Sequence, residues 1–273
     1  MGAVVVRAWD RPAPSGRLGY HSRMFKIYGR LAAQSVRLAL RGWPAALALL
    51  VYAIVFQLSA GMLGQLGMAG GFITGFVIAF LTSSYLHLLS LVVAGRPVRL
   101  GDFRESFRAR FWDVVSVLFA LWIIELGVGF LTSGAGERGQ IVMVLVGLAM
   151  AVFFNPVPEL IYLGQGQVRS FALLGAAARF ISAHWPEWLG PSALFAAAIL
   201  VPSGLMQGGP FAARLLNMQA LFSMQGLVVT VLVIPNWLKP IMLIFITWAM
   251  VFRGLLFMEL ATGRSRRMRQ WSA

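Results

Sequence analysis

The chain has no cysteine. Disulfide frameworks, thiolate metal sites and cysteine nucleophiles are therefore excluded. Charge is scarce: 12% of the 273 residues are charged, against about 25% in a soluble domain. Acidic residues are the scarcer kind, 9 against 23 basic ones. Only Lys26 and Lys239 are lysines. This arginine bias, with heavy use of Ala, Gly and Val, points to a GC-rich bacterial genome rather than to a function. No Gly-x-Ser-x-Gly occurs, so serine hydrolase chemistry has no motif. Gly61, Gly64, Gly67, Gly70 and Gly71 lack the flanking strand and Lys-Ser/Thr of a phosphate loop. No cofactor or metal site is expected. Met1–Arg23 lacks an apolar core long enough for a signal peptide.

What the chain has in abundance is apolar surface. Hydrophobic residues make up 59% and the mean hydropathy is +0.78. A hydrocarbon core of roughly 30 Å needs about 20 helical residues at 1.5 Å each. That ruler gives spans at Pro44–Met62, Gly70–Ala94, Trp112–Ser133, Gln140–Leu163 and Trp188–Met206. The last apolar stretch is broken by Pro235 and Pro240. Either Phe211–Ile234 is interfacial or re-entrant and Asn236–Leu260 is the sixth span, or both halves cross and there are seven.

Charge arbitrates, because cytoplasmic segments are rich in Lys and Arg. With six spans and the N-terminus inside, 20 of the 23 basic residues face the cytoplasm and three, Arg138, Arg214 and Lys239, face outward. A seventh span would send Arg264, Arg266, Arg267 and Arg269 outside. The expected fold class is all-α: a polytopic transmembrane helical bundle of six spans, with interfacial amphipathic helices on the cytoplasmic side. Residues 24–260 form the single membrane domain, 261–273 a basic cytoplasmic tail and 1–23 a disordered tail, Met24 being an alternative start. The sequence pI near 11.6 would suggest nucleic acid if taken alone. Placed beside apolar spans, the arginines instead suit anionic lipid headgroups.

Each cytoplasmic segment carries a short helix ending in a tryptophan elbow. The helices cover about 24–42, 100–111 and 168–184. The elbows read Arg41-Gly42-Trp43-Pro44, Arg110-Phe111-Trp112-Asp113 and His184-Trp185-Pro186-Glu187-Trp188. Arg30, Arg37 and Arg41 share one helical face, as do Arg104 and Arg108; with Arg110 they are the expected headgroup contacts. Tryptophan suits interfacial depth because its ring is amphipathic. The chain thus reads as three units of interfacial helix plus helical hairpin. This pattern, with its most particular segment Gly95-Arg96-Pro97-Val98-Arg99-Leu100-Gly101-Asp102-Phe103 leading into Arg110-Phe111-Trp112-Asp113, resembles uncharacterised bacterial six-span families: YciC-like proteins and the membrane domain fused to some glycerophosphodiester phosphodiesterases. The resemblance covers roughly residues 24–260. It implies the architecture and transfers no catalytic residues, since the metal-binding phosphodiesterase domain is absent.

Ionisable groups within spans are functional candidates by default. His87, Glu125, Asn155 and Glu159 form the candidate intramembrane polar site. Glu125 is expected near or just beyond mid-membrane. In Asn155-Pro156-Val157-Pro158-Glu159 the prolines remove helical donors and free carbonyls one turn back, for which Asn155 and Glu159 can supply cover. His87 lies closer in depth to this pair than Glu125 does, so a His–Glu proton relay is conceivable. Arg253 is expected to snorkel to the inner surface, and Asp113 to cap the third span. Glu159→Ala is then expected to be more damaging than Arg253→Ala. The functional expectation is a non-enzymatic inner-membrane scaffold, assembly or envelope-homeostasis component, both termini cytoplasmic, contacting anionic lipids and a membrane-protein partner. The alternative is a transporter or permease for a small solute or lipid.

Overall fold

The computed structural model describes residues 17–164, 170–207 and 239–271, which form helices and turns with no strand among the described residues. In order these are α1 (Arg17–Arg41), α2 (Trp43–Leu63), a 3-10 turn (Gly64–Leu66), α3 (Gly67–Val93), α4 (Leu100–Ala109), α5 (Phe111–Thr132), α6 (Gly136–Phe153), α7 (Val157–Leu163), α8 (Ser170–Gln207) and α9 (Lys239–Trp271).

Among the described residues, five segments are long and apolar enough to cross a membrane: Trp43–Leu63, Ala69–Val93, Phe111–Thr132, Gly136–Leu163 and Pro240–Thr262. They coincide with five of the six expected spans. The remaining one, Trp188–Met206, is helical as part of α8. The stretch 211–234 lies outside the described residues. Two boundaries differ from expectation. The first helix begins at Arg17, seven positions before Met24, and α9 runs unbroken past Leu260 to Trp271. No proline follows Leu260, and the single Gly263 costs a helix only about 1 kcal/mol, so the helix passes through it.

The three elbows are real breaks. Gly42 separates α1 from α2, with its N–H bonded to Leu38 O at 2.7 Å. A side chain there would strike Val92 of α3, so glycine permits the elbow to sit against the next helix. Arg110, between α4 and α5, adopts φ −131°, ψ 10°, and His184, within α8, adopts φ −136°, ψ 24°. Trp43, Trp112 and Trp185 follow these breaks and are all exposed. Trp188, one turn further on, is buried instead.

The α2–α3 and α5–α6 hairpins match each other closely. Gly67 and Gly136 open α3 and α6 with φ of 56° and 54°, a region that glycine enters without steric cost. Three residues on, a Cβ at Gly70 would strike the carbonyl oxygen of Leu63, and one at Gly139 that of Thr132. Each glycine thus lets the new helix start directly against the end of the old one. At this offset α6 and α7 together are the counterpart of α3.

The core gathers on α3 and α9, the most buried spans, while α2 and α5 are the least buried. Leu86, Leu88, Leu89 and Val92 of α3 and Leu243, Ile246, Val251 and Leu256 of α9 anchor it. Large apolar side chains left exposed run down the spans: Leu47, Val51, Ile54 and Leu58 on α2, and Phe119, Trp122, Ile123 and Leu126 on α5. Outward-facing apolar surface of this extent needs a hydrocarbon solvent. The chain is a multi-pass integral membrane protein.

Candidate functional site

The site begins with two prolines. Pro156 and Pro158 lack the N–H groups that would serve Val152 and Phe154 one turn back. Tighter turns substitute: Asn155 N–H reaches Val152 O at 3.4 Å and Val157 N–H reaches Phe154 O at 3.0 Å. The expected fourth span is therefore two helices, α6 and α7, meeting at Phe154–Pro156. Non-helical backbone at this depth is tolerated only where protein or water covers it. Protein covers it here. Arg253 of α9 donates from Nη2 to the Asn155 carbonyl at 2.7 Å.

The same guanidinium grips Glu159 with two bonds, Nε to Oε1 at 2.7 Å and Nη2 to Oε2 at 3.0 Å. Glu159 is fully buried and the Arg253 side chain is 15% exposed. Arg253 also stacks over the Trp188 ring, 5.1 Å from its centroid, a favourable site for a cation. Trp188 donates from Nε1 to Asn155 Oδ1 at 2.7 Å. Ser192 reaches the same oxygen at 3.5 Å and the Trp188 carbonyl at 2.9 Å. The cluster joins α7, α8 and α9 through planar, paired hydrogen bonds that Lys could not reproduce. One donor is left over: Asn155 Nδ2 is buried and has no partner among the described residues. Tyr162 closes the cluster on its α7 side, donating to Met250 O at 3.0 Å and lying flush against Gly254.

Arg253 thus overturns its expected role. It does not snorkel to the headgroups; its partner is Glu159. Glu259 meets Arg30 of α1 at 3.4 Å, both side chains half exposed.

The four candidate residues fall into three places. Asn155 and Glu159 are together. His87 sits half-buried on α3, where Arg110, Asp102, Glu105 and Arg96 are the charges it feels, so it belongs to the α3–α4 corner. Glu125 is exposed on α5. Trp122, one turn earlier, touches Phe72 with ring centroids 6.5 Å apart, and Phe72 is five residues from the Gly67 end of α3. Glu125 therefore lies toward the end of the bundle that carries the Gly64–Leu66 turn. Among the described residues no three His, Asp or Glu side chains gather as metal ligands.

The headgroup candidates Arg30, Arg37, Arg41, Arg104 and Arg108 are exposed, and Arg110 is half-buried. Arg110 approaches Asp113 at 3.8 Å; Asp113 thus turns to a side chain rather than capping α5. Asp102 does cap, accepting the Arg99 N–H at 2.7 Å at the start of α4.

A second polar chain escaped the sequence reading. Tyr52 of α2, Ser84 of α3 and Ser106 of α4 form consecutive hydroxyl contacts, all buried. Beside them Tyr85 donates to Thr247 Oγ1 at 3.1 Å. The run Thr82-Ser83-Ser84-Tyr85 inside an apolar span was the available signal. For the first cluster, the signal was an arginine seven residues inside the end of the last span. A scan against protein-family models finds no match for the chain, and neither do searches of curated proteins and of solved structures.

Proposed function

We propose that the chain is a non-enzymatic scaffold or assembly component of a bacterial inner membrane, with six spans, the second limb of α8 supplying the fifth, and both termini in the cytoplasm. The observation that carries this reading is the internal closure of Glu159. This fully buried carboxylate spends both oxygens on Arg253, which in turn spends its remaining reach on Asn155 O and the Trp188 face. A charge so fully committed fixes helices rather than cycling protons. What faces outward is basic and amphipathic: on α1, Lys26, Arg30, Arg37 and Arg41 are exposed beside Phe25, Val36 and Leu40. Such a surface suits anionic headgroups and the juxtamembrane segment of a partner. The fold reading stays close to the YciC-like architecture named above. The test is affinity capture of the full chain from cross-linked native membranes, beside flotation with anionic and neutral vesicles. A reproducible membrane-protein partner or a clear preference for anionic vesicles is the expected result; neither appearing would overturn the reading.

One observation favours a permease instead. The α6–α7 break carries the unpartnered Asn155 Nδ2, and broken helices hold substrates in transporters. Solute or lipid flux in proteoliposomes that stops in Asn155→Leu, at unchanged folding, would select that reading.

A further inference from the structure

Resting on the membrane reading above, we infer that α4 lines a water-filled notch in the cytoplasmic leaflet, and that this notch takes the phosphate of an anionic lipid headgroup drawn below the general headgroup plane.

The case is one of height. α3 provides the scale, at 1.5 Å per residue. The α1–α2 elbow at Gly42 abuts Val92, at the cytoplasmic end of α3. The α4–α5 elbow does not reach that end. Ser106 contacts Ser84, the Phe107 ring stacks on Phe80 with centroids 4.4 Å apart, and Phe111, the first residue of α5, meets Phe80 at 6.3 Å. Phe80 is twelve positions from Val92, so the second elbow is set about 18 Å further along α3 than the first. α4 is not laid flat on the membrane; it folds back down α3, and its phenylalanine side packs on protein.

At that one height the two flanks of α3 have opposite chemistry. Tyr52 of α2 bonds to Ser84, so Val51, Ile54 and Val55 mark this level on the α2 side, and all three are exposed and apolar. That flank needs hydrocarbon up to Trp43. On the α4 side the level is marked by Ser106, and the exposed residues around it are Arg104, Glu105, Arg108 and Ala109. Charged side chains there cannot face acyl chains without a heavy desolvation cost. Water and headgroups must therefore reach them. Arg110 and Asp113 pair at the floor of the notch, exposed Trp112 marks its interface, and His87 faces it from α3.

The occupant follows from charge. Of the acidic groups present, Asp102 is held by the Arg99 N–H and Asp113 by Arg110. Arg104 and Arg108, four apart on one face, remain beside a single carboxylate, Glu105. Two adjacent guanidinium groups suit a phosphate oxyanion.

The cysteine-free chain allows a direct test on the full-length protein in nanodiscs, with Ala109→Cys and Ile54→Cys at matched height. A membrane-impermeant maleimide should modify A109C about tenfold faster than I54C, since reaction requires the hydrated thiolate. Equal, slow reaction would overturn the notch. Fast reaction of both would instead sink the span assignment of α2, and with it the membrane reading. In phosphatidylglycerol nanodiscs the A109C reaction should slow about threefold relative to phosphatidylcholine, because anionic headgroups are drawn to nearby arginines. Arg104→Gln with Arg108→Gln should erase that difference. Protection by inorganic phosphate in phosphatidylcholine discs equal to that by phosphatidylglycerol would assign the site to free phosphate, and protection by neither would remove the anion; both results contradict the headgroup.

Discussion

At the residue scale the bundle is governed by one buried ion pair and its neighbours. A buried pair gains little over a well-packed apolar replacement, yet losing one partner strands a charge and costs about 3–5 kcal/mol. Glu159→Ala and Arg253→Ala should therefore lower the apparent unfolding temperature in detergent by similar amounts, and the double substitution should cost clearly less than the sum of the two. Strict additivity would show that the two side chains do not act as a unit. This replaces the expectation from sequence, where Glu159→Ala was the more damaging of the two changes. That expectation rested on depth counted along one helix, which cannot reveal a partner 94 positions away in the chain. Gly254 makes a sharper local test. A methyl there meets the Tyr162 hydroxyl, so Gly254→Ala should destabilise by about 1–3 kcal/mol, with Tyr162→Phe as the relieving second change. Tyr28 carries a pH dependence. Its hydroxyl donates to Glu187 O at 2.9 Å, and burial first, then the Glu187 charge, raise its pKa above the ordinary 10.0. The folded state holds the phenol proton more tightly than the unfolded one. This contribution is thus complete below pH 10.0 and lost as pH climbs through the raised value. Proteolysis at α1 should accelerate above pH 10.0 in the native chain, and Tyr28→Phe should flatten that rise.

At the scale of elements, what lipid dictates was readable and what protein partners dictate was not. Apolar length located five spans, and the tryptophan elbows located the three breaks at Gly42, Arg110 and His184, because both signals arise from solvent. Pro156 and Pro158 announced the α6–α7 break for the same local reason. The partner of each short helix was hidden. An apolar face on α4 reads alike whether it meets acyl chains or α3, so its descent along α3 needed coordinates. The matched hairpins were also missed, since Leu63–Gly70 and Thr132–Gly139 share little beyond two glycines. Their geometry makes a paired prediction. Gly70→Ala and Gly139→Ala should each destabilise by about 1–3 kcal/mol, since each methyl would meet a backbone carbonyl. Gly71→Ala, with open space around it, should be neutral or mildly stabilising. Equal tolerance at all three sites would deny the shared turn.

At the scale of the molecule the account rests on one arrangement. Apolar helices of bilayer length alternate so that the elbows, the short helices and most arginines lie on one side, and the glycine hairpins lie on the other. α1 lying on α9, tied by Arg30–Glu259, and the Glu159–Arg253 lock both belong to that basic side, while Ser133, between α5 and α6, and the Gly64–Leu66 turn belong to the opposite one. The lack of native thiols makes sidedness directly measurable. Ala94→Cys, in the α3–α4 turn, and Ser133→Cys are each exposed, and each can be probed in intact bacterial spheroplasts with a membrane-impermeant maleimide. Ser133→Cys should react in intact spheroplasts and Ala94→Cys only after permeabilisation. Reaction of both in intact spheroplasts, or of Ala94→Cys alone, would contradict the arrangement.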